Sequence, residues 1–316
     1  MSPIGFIGLG IMGEGMTGRL LSEGVAGSED VPLIVWNRTA AKCDELVARF
    51  PDKHIQVKST PKEVVESCSI IFSMLSTPEA SLAVFEGETG TLAGVSDGKM
   101  IIDCATLAES DMKRMSEQVS SKGGRFLEAP VSGSKAPAHG GQLIFLCSGC
   151  ESTYNNATVQ SALRAMGKAM HYFGNEVGYG TRAKLVVNSL MGTMMAAFGE
   201  SLALAESVGL NGNTMLEVIG QGAVQCPMFA LKGPKMLAKD HAPNFPLQHA
   251  HKDMKLAVEM AREAKVEYSV TEGAEQLFQK AREDAMLNVA EQDFSAVFER
   301  IHKESMSECS KKRRLG

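Results

Sequence analysis

The pattern Gly8-x-Gly10-x-x-Gly13 constrains this chain more than any other feature. The apolar run Ile4, Gly5, Phe6, Ile7 leads straight into it, and a segment with helical spacing follows. A strand that feeds a helix through three glycines is a turn built for close approach of backbone to a ligand. Gly8 permits the tight turn, Gly10 leaves room for a pyrophosphate, and Gly13 lets helix and strand pack closely. Free amides at the helix N-terminus then face an anion. Gly8, Leu9, Gly10, Ile11, Met12 and Gly13 are therefore expected to line a dinucleotide site.

The rest of the first half fits that start. Short apolar runs at 4–8, 32–36, 70–74, 100–103, 125–128 and 143–147 read as buried strands, with helical spacing at 39–49 and 109–121. Such alternation calls for a doubly wound parallel sheet with helices on both faces, an α/β arrangement. Near Gly174 the character changes: strand signals fade, and a long Met/Ala/Leu-rich segment without proline covers about 181–208. Thr181 is its expected N-cap and Gly209 its expected stop. The chain thus divides into a sheet-containing domain at 1–174, an all-helical domain at 175–306 joined through the long helix, and a basic tail at 307–316. That helix carries few charges and needs much covering surface, which a partner subunit is expected to supply.

Composition excludes several function classes. The 316 residues carry 32 Lys and Arg against 37 Asp and Glu, a net charge of -5. A mildly acidic chain lacks the field that non-specific binding to nucleic acid or an anionic membrane requires. No apolar stretch is expected to reach the roughly 18 residues that cross a bilayer. Seven scattered cysteines, an odd number, point away from a disulfide framework and towards a reducing compartment. The cytoplasm is the expected location. Four basic residues in a row, Lys311 to Arg314, are expected to form a solvated tail, with a nuclear signal as the alternative.

An NAD site ordinarily places a carboxylate at the end of the second strand, against the ribose 2′-hydroxyl. Here that position reads Asn37-Arg38-Thr39. Nothing there repels a 2′-phosphate, and Arg38 offers a planar, permanently charged fork to bind one, so NADPH is the expected cofactor. Met74, Leu75 and Pro78 follow one strand end and Thr106 follows another, where they are expected to border the nicotinamide.

Three further stretches carry chemistry. Ser132 and Gly133 form a loop whose hydroxyl and amides suit a small carboxylate. Lys184 and Asn188 stand at i and i+4 on the long helix, on one face and among apolar neighbours. A helix lysine is ordinarily a solvated surface residue; among apolar neighbours it becomes a candidate proton donor, its pKa lowered by partial desolvation. Lys252 offers a second positive charge, and Asp253 a carboxylate to hold a lysine. His249 and His251, at i and i+2, do not share a helix face, so no metal site is expected. Cys147 and Cys150 form a C-x-x-C at a strand end, expected to be unreactive thiols.

With these residues in view, the chain resembles the β-hydroxyacid dehydrogenase family, the relatives of 3-hydroxyisobutyrate dehydrogenase. Matching stretches run in family order at 5–13, 103–106, 130–143, 178–188 and 252–253, and the stretches at 36–39, 130–137, 141–143 and 245–247 look most like plant-type glyoxylate/succinic semialdehyde reductases. The resemblance implies a Rossmann domain followed by an all-α domain, assembly as a homodimer or homotetramer, and NADPH-dependent reduction of glyoxylate and succinic semialdehyde. It implies Lys184 as catalytic lysine, Asn188 as the residue that fixes substrate, and Ser132 and Gly133 as the carboxylate loop. Thr106, Phe245, Lys252 and Asp253 match positions bordering the same pocket, Lys252 also on the cofactor side. The alternatives are a 3-hydroxyisobutyrate or tartronate semialdehyde dehydrogenase, or a catalytically silent NADP-binding module. Two departures stand out: a lengthened loop at 26–30, expected at the surface, and Ala138-His139-Gly140, expected to change the outer substrate loop.

Overall fold

The computed structural model describes residues 3–303; the basic tail at 307–316 lies outside them. The chain forms two compact units, Met1–Lys184 and Leu185–Gly316. The division falls inside a helix, ten residues beyond the change of character near Gly174.

The first unit is a twisted sheet. Its strands are β1 (Ile4–Ile7), β2 (Leu33–Trp36), β3 (Ile55–Val57), β4 (Ile70–Ser73), β5 (Met100–Asp103), β6 (Arg125–Glu128), β7 (Val131–Ser132), β8 (Leu143–Gly149) and β9 (Gly167–Tyr172). The order is β3-β2-β1-β4-β5-β6-β8-β7, with β9 paired to β8. Strands β3 to β6 run parallel with β1 and β2, whereas β8 turns antiparallel to β6 and β7 antiparallel to β8. Every residue of β1, β4 and β5 is buried, as expected where helices cover both faces. Each fully buried side chain such as Phe6, Phe72 or Leu33 contributes about 1.5–3 kcal/mol of transfer free energy.

Sequence spacing had not marked β3, β7 and β9. Strand β3 is three residues at the sheet edge, with Gln56 in the middle, and β7 is two. Strand β9 interleaves exposed Lys168 and His171 with half-buried residues, so no apolar run announces it.

The helices between strands are set by local signals. Helix α1 (Ile11–Ser22) follows the glycine turn, and α2 (Ala41–Arg49) and α5 (Glu109–Ser121) lie where helical spacing placed them. Helices α3 (Pro61–Ser67) and α4 (Pro78–Phe85) each open on a Thr-Pro pair. The hydroxyls of Thr60 and Thr77 accept from the Glu63 and Ala80 amides, while proline occupies the first position, where no N–H is needed. Helix α6 (Lys135–His139) packs on α1, and a side chain at Gly15 would meet the His139 amide at 2.8 Å. Ala138 and His139 therefore belong to a helix seat, not to an outer loop as expected. The lengthened loop is not superficial either: Ala26 is buried, and Gly27 accepts from the His54 amide at 2.9 Å. Two short helices follow β8, α7 (Glu151–Tyr154) and α8 (Ala157–Met166).

Helix α9 (Tyr179–Ser207) spans the division between the units. It begins two residues before the expected N-cap, because the Gly180 amide is satisfied by Glu128 and Ser148 of the sheet rather than by Thr181. Its end is as expected: Gly209, at φ +85°, donates to Glu206 while Leu210 donates to Ala205. That pair of bonds closes a helix through a left-handed residue. By length and composition α9 passes as a membrane-crossing helix, contrary to the expectation that no run is long enough. The difference is one of counting, since an average over the helix tolerates Gly, Ser and Thr. Half of that segment is buried, and Met195, Phe198 and Leu202 sit in a core.

The second unit is helical: α10 (Gly212–Gln221), α11 (Pro227–Leu237), α12 (Leu247–Glu263) and α13 (Ser269–Glu283). Its core gathers Met195, Phe198, Met254, Phe278, Val297 and Phe298.

Candidate active site

The glycine turn lies where strand order reverses around β1, the place at which open parallel sheets bind ligands. Gly8 has φ +98°, and a Cβ there would stand 2.4 Å from the Met74 carbonyl oxygen. A Cβ on Gly13 would fall 1.9 Å from the Gly8 oxygen, whereas one on Gly10 would meet nothing within 4 Å. Two glycines are thus required by packing, and the middle one opens onto free space. No side chain caps the N-terminus of α1, so the amides at Ile11 and Met12 face that space without a local acceptor. These features suit a diphosphate.

At the end of β2, Asn37 turns inward. Its Oδ1 accepts from the Leu9 amide at 2.9 Å and its Nδ2 donates to the Thr39 carbonyl at 2.9 Å. Asn37 therefore splints the glycine turn, a duty its position in sequence did not reveal. Arg38 and Thr39 are exposed. Met74 and Leu75 border Gly8, and Pro78 opens α4 beside them. Thr106 follows β5, whose last residue, Asp103, accepts from the Ala105 amide at 2.9 Å. Burial pushes the Asp103 carboxyl up to about 6, against the pull of its hydrogen bonds from Ala105 and Ser73.

Ser132 ends β7, and Gly133 follows with φ +132°, its backbone pressed so close to Leu143 that a Cβ would lie 2.7 Å from that side chain. Only glycine fits there, next to a half-buried Ser132. Lys184 stands near the start of α9 and is 7% exposed. Asn188 follows one turn later on the same helix, 3% exposed.

In the second unit Asn188 and Asp253 come together. Asn188 Nδ2 donates to Asp253 Oδ2 at 2.6 Å, and Lys252 Nζ stands 2.7 Å from Asp253 Oδ1. Asp253, 2% exposed, thereby orients the amide and holds a lysine, the part foreseen for it. Phe245 lies edge-on to Phe294 with ring centroids 5.8 Å apart. Its backbone amide donates to Asp293 Oδ2, as does that of Asn244, while Lys232 Nζ stands 2.6 Å from Asp293 Oδ1. This buried pair pins the loop that carries Phe245. Sequence spacing missed it because the partners lie 61 positions apart.

The remaining candidates resolve into structural roles. His251 Nε2 pairs with Glu275 at 2.8 Å and its Nδ1 faces Arg282 at 3.2 Å, an arrangement that fixes a neutral ring; burial also holds its pKa below the ordinary value. Burial, then the Lys252 charge, lowers His249. Of the C-x-x-C thiols, Cys147 is pushed up to about 12 by burial, as an unreactive thiol should be. Cys150 departs from expectation. Burial raises it, but hydrogen bonds from Ser152 and Thr153 outweigh that and bring it below the ordinary thiol value, because Cys150 opens α7.

Comparison with known proteins agrees with this geometry. Residues 3–174 match the model of the NAD-binding domain of 6-phosphogluconate dehydrogenase, and residues 178–301 match that of the NAD-binding region of NADP-dependent 3-hydroxyisobutyrate dehydrogenase. Two Arabidopsis thaliana proteins, glyoxylate/succinic semialdehyde reductases 1 and 2, the latter chloroplastic, are each 41% identical over 298 residues. The match covers 94% of this chain, with 98% of the first relative and 79% of the second. A Salmonella typhimurium 3-hydroxyisobutyrate dehydrogenase structure superposes with a TM-score of 0.82 at 21% identity, covering 95% of this chain and 99% of its own. The two family models together span nearly the whole chain, and the relatives match over 94% of it: this chain belongs to the β-hydroxyacid dehydrogenase family and is a nicotinamide-dependent oxidoreductase.

Proposed function

We propose that the protein is an NADPH-dependent reductase of small aldehydes that carry a carboxylate, converting glyoxylate to glycolate and succinic semialdehyde to 4-hydroxybutyrate. The observation that carries the chemistry is Lys184, a nearly buried ammonium one helical turn from an Asn188 whose amide is fixed by Asp253. A buried cation with a positioned amide beside it stabilises negative charge as it develops on a carbonyl oxygen.

Gly8, Leu9, Gly10, Ile11, Met12 and Gly13 hold the diphosphate, and Arg38 with Thr39 takes the 2′-phosphate. Met74, Leu75, Pro78, Thr106 and Lys252 border the rest of the dinucleotide. NADPH, when bound, supplies the hydride. Ser132 and Gly133 receive the substrate carboxylate through a hydroxyl and backbone amides, and Phe245, Lys252 and Asp253 border the substrate. Lys184 gives its proton to the carbonyl oxygen, and Asn188 keeps that oxygen in line. The 41% identity to the two Arabidopsis reductases supports this substrate class.

Exposed Val186, Leu190 and Leu204 along α9 favour a homo-oligomer, and the free thiols among the described residues favour the cytoplasm. The test is loss of NADPH absorbance with glyoxylate and with succinic semialdehyde, beside NADH controls. Turnover that prefers NADPH and falls about 10²–10⁴-fold in Lys184→Ala is expected. Near-normal turnover in that variant refutes the role given to Lys184, and tight NADPH binding with no turnover of either aldehyde refutes the substrate class.

A further inference from the structure

Glu128 ends β6 with a fully buried carboxylate. Oε1 accepts from the Gly178 amide at 2.6 Å, from the Gly180 amide at 2.9 Å and from the Ser148 hydroxyl, and Oε2 accepts from the Thr181 hydroxyl at 2.7 Å. Gly180 N–H is shared with Ser148 Oγ at 3.0 Å. The Gly178 and Gly180 amides and the Thr181 hydroxyl, at the start of α9, therefore converge on one side chain from the sheet. An anion at a helix N-terminus is favourable because the free amides there carry partial positive charge.

The fit is close. Gly178 has φ +116°, and a Cβ on Gly180 would stand 2.3 Å from the Leu146 carbonyl oxygen, so the helix end rests directly on β8. A second clamp lies beside it: Arg182 Nε and Nη2 meet the two Glu109 oxygens at 2.7 and 2.6 Å. Lys184 stands three residues beyond Thr181 and four beyond Gly180, so it rides on this turn at about 1.5 Å of rise per residue.

We propose that Glu128 is the positioning residue for Lys184: by holding the first turn of α9 against the sheet, it sets where the lysine ammonium stands relative to the reacting carbonyl. This rests on the proton-donor role proposed above for Lys184. A misplacement of about 1 Å costs on the order of 10²-fold in rate when geometry governs the step. Loss of Glu128 should therefore act on turnover and leave the dinucleotide site, which lies on other strands, largely unaltered.

The experiment compares Glu128→Gln, Glu128→Asp, Thr181→Val and Lys184→Ala in the full-length protein. Kinetics with glyoxylate are read together with NADPH affinity and the solvent deuterium isotope effect on kcat. Glu128→Gln removes the charge and turns one acceptor into a donor; it is expected to lower kcat by about 10–100-fold with NADPH affinity within about twofold. The isotope effect should grow, because a misplaced donor makes proton transfer more limiting, whereas a smaller folded fraction leaves it unchanged. Glu128→Asp keeps the charge and should recover part of the loss. Thr181→Val keeps the carboxylate and deletes one donor, so a smaller loss of kcat with the same rise in isotope effect is expected, even if Glu128→Gln does not fold. Wild-type kcat and isotope effect in folded Glu128→Gln, or in Thr181→Val where Glu128→Gln fails to fold, overturn the proposal while Lys184→Ala remains inactive. Normal turnover in Lys184→Ala instead overturns the donor role on which it rests.

Discussion

Replacing Lys232 by Met tests the account of the second unit most directly. Lys232 and Asp293 form an ion pair at 2.6 Å with side chains only 5% and 2% exposed. The ammonium also lies 5.1 Å from the centre of the Phe294 ring. Removing the lysine strands a buried carboxylate, and breaking such a pair costs about 3–5 kcal/mol. Three amides, those of Asn244, Phe245 and Ser295, still donate to Asp293 at 3.2–3.3 Å. Their help places Lys232→Met near the lower figure, about 3 kcal/mol. Asp293→Ala strands an ammonium and those three amides together, so it should cost about 5 kcal/mol or more. At about 3 °C per kcal/mol for a unit of this size, the Tm falls by roughly 10 °C and 15 °C respectively. Lys62→Met serves as control, because its pair with Glu66 is 3.8 Å long and exposed; it should cost less than about 1 kcal/mol. Thermal and urea unfolding followed by far-UV circular dichroism read all three. A Lys232→Met variant as stable as the control refutes the reasoning, as does an Asp293→Ala variant less damaged than Lys232→Met.

Arg38→Ala should weaken NADPH binding by about 10–100-fold, the worth of a charged hydrogen-bonded contact to phosphate, and leave NADH binding almost unchanged. Fluorescence titration checks it, and equal loss for both cofactors refutes it. Gly10→Ala and Gly13→Ala should separate cofactor binding from folding. The first meets open space and should change stability by no more than about 0.5 kcal/mol while lowering dinucleotide affinity; the second collides with the Gly8 oxygen and should destabilise by about 1–3 kcal/mol or more. Asp103→Asn addresses pH. The Asp103 carboxyl is raised from 3.8 to about 6 by burial, so the folded protein holds this proton more tightly than the unfolded chain. Stability from this group is therefore complete below about pH 4 and lost as pH rises to about 6, a change of about 3 kcal/mol. The asparagine variant should lack that decline, and unfolding at pH 4 and pH 7 measures it; parallel declines in both proteins would refute the assignment.

Local spacing along the chain was enough to find the glycine turn between β1 and α1, five of the parallel strands of the sheet and the long helix with its Gly209 stop. Each depends on neighbours in sequence: a glycine pattern, an apolar run, a period of 3.6. Lys184 and Asn188 were legible for the same reason, since i and i+4 share a helix face whatever the helix packs against. Short or edge strands were not, because β3 and β9 carry polar residues where no burial is demanded. The role of Thr181 was misassigned as a cap, since nothing in the local sequence shows that a carboxylate from another strand waits for it. Glu128 reaches its donors across 20, 50, 52 and 53 positions, and Lys232 reaches Asp293 across 61. Such pairings leave no periodic trace, because a buried charge needs a partner in space and sets no condition on where in the chain that partner stands. Spacing thus carries the chemistry that neighbours make together, while the placing of buried charges belongs to the folded chain, where desolvation makes each one stable only beside its partner.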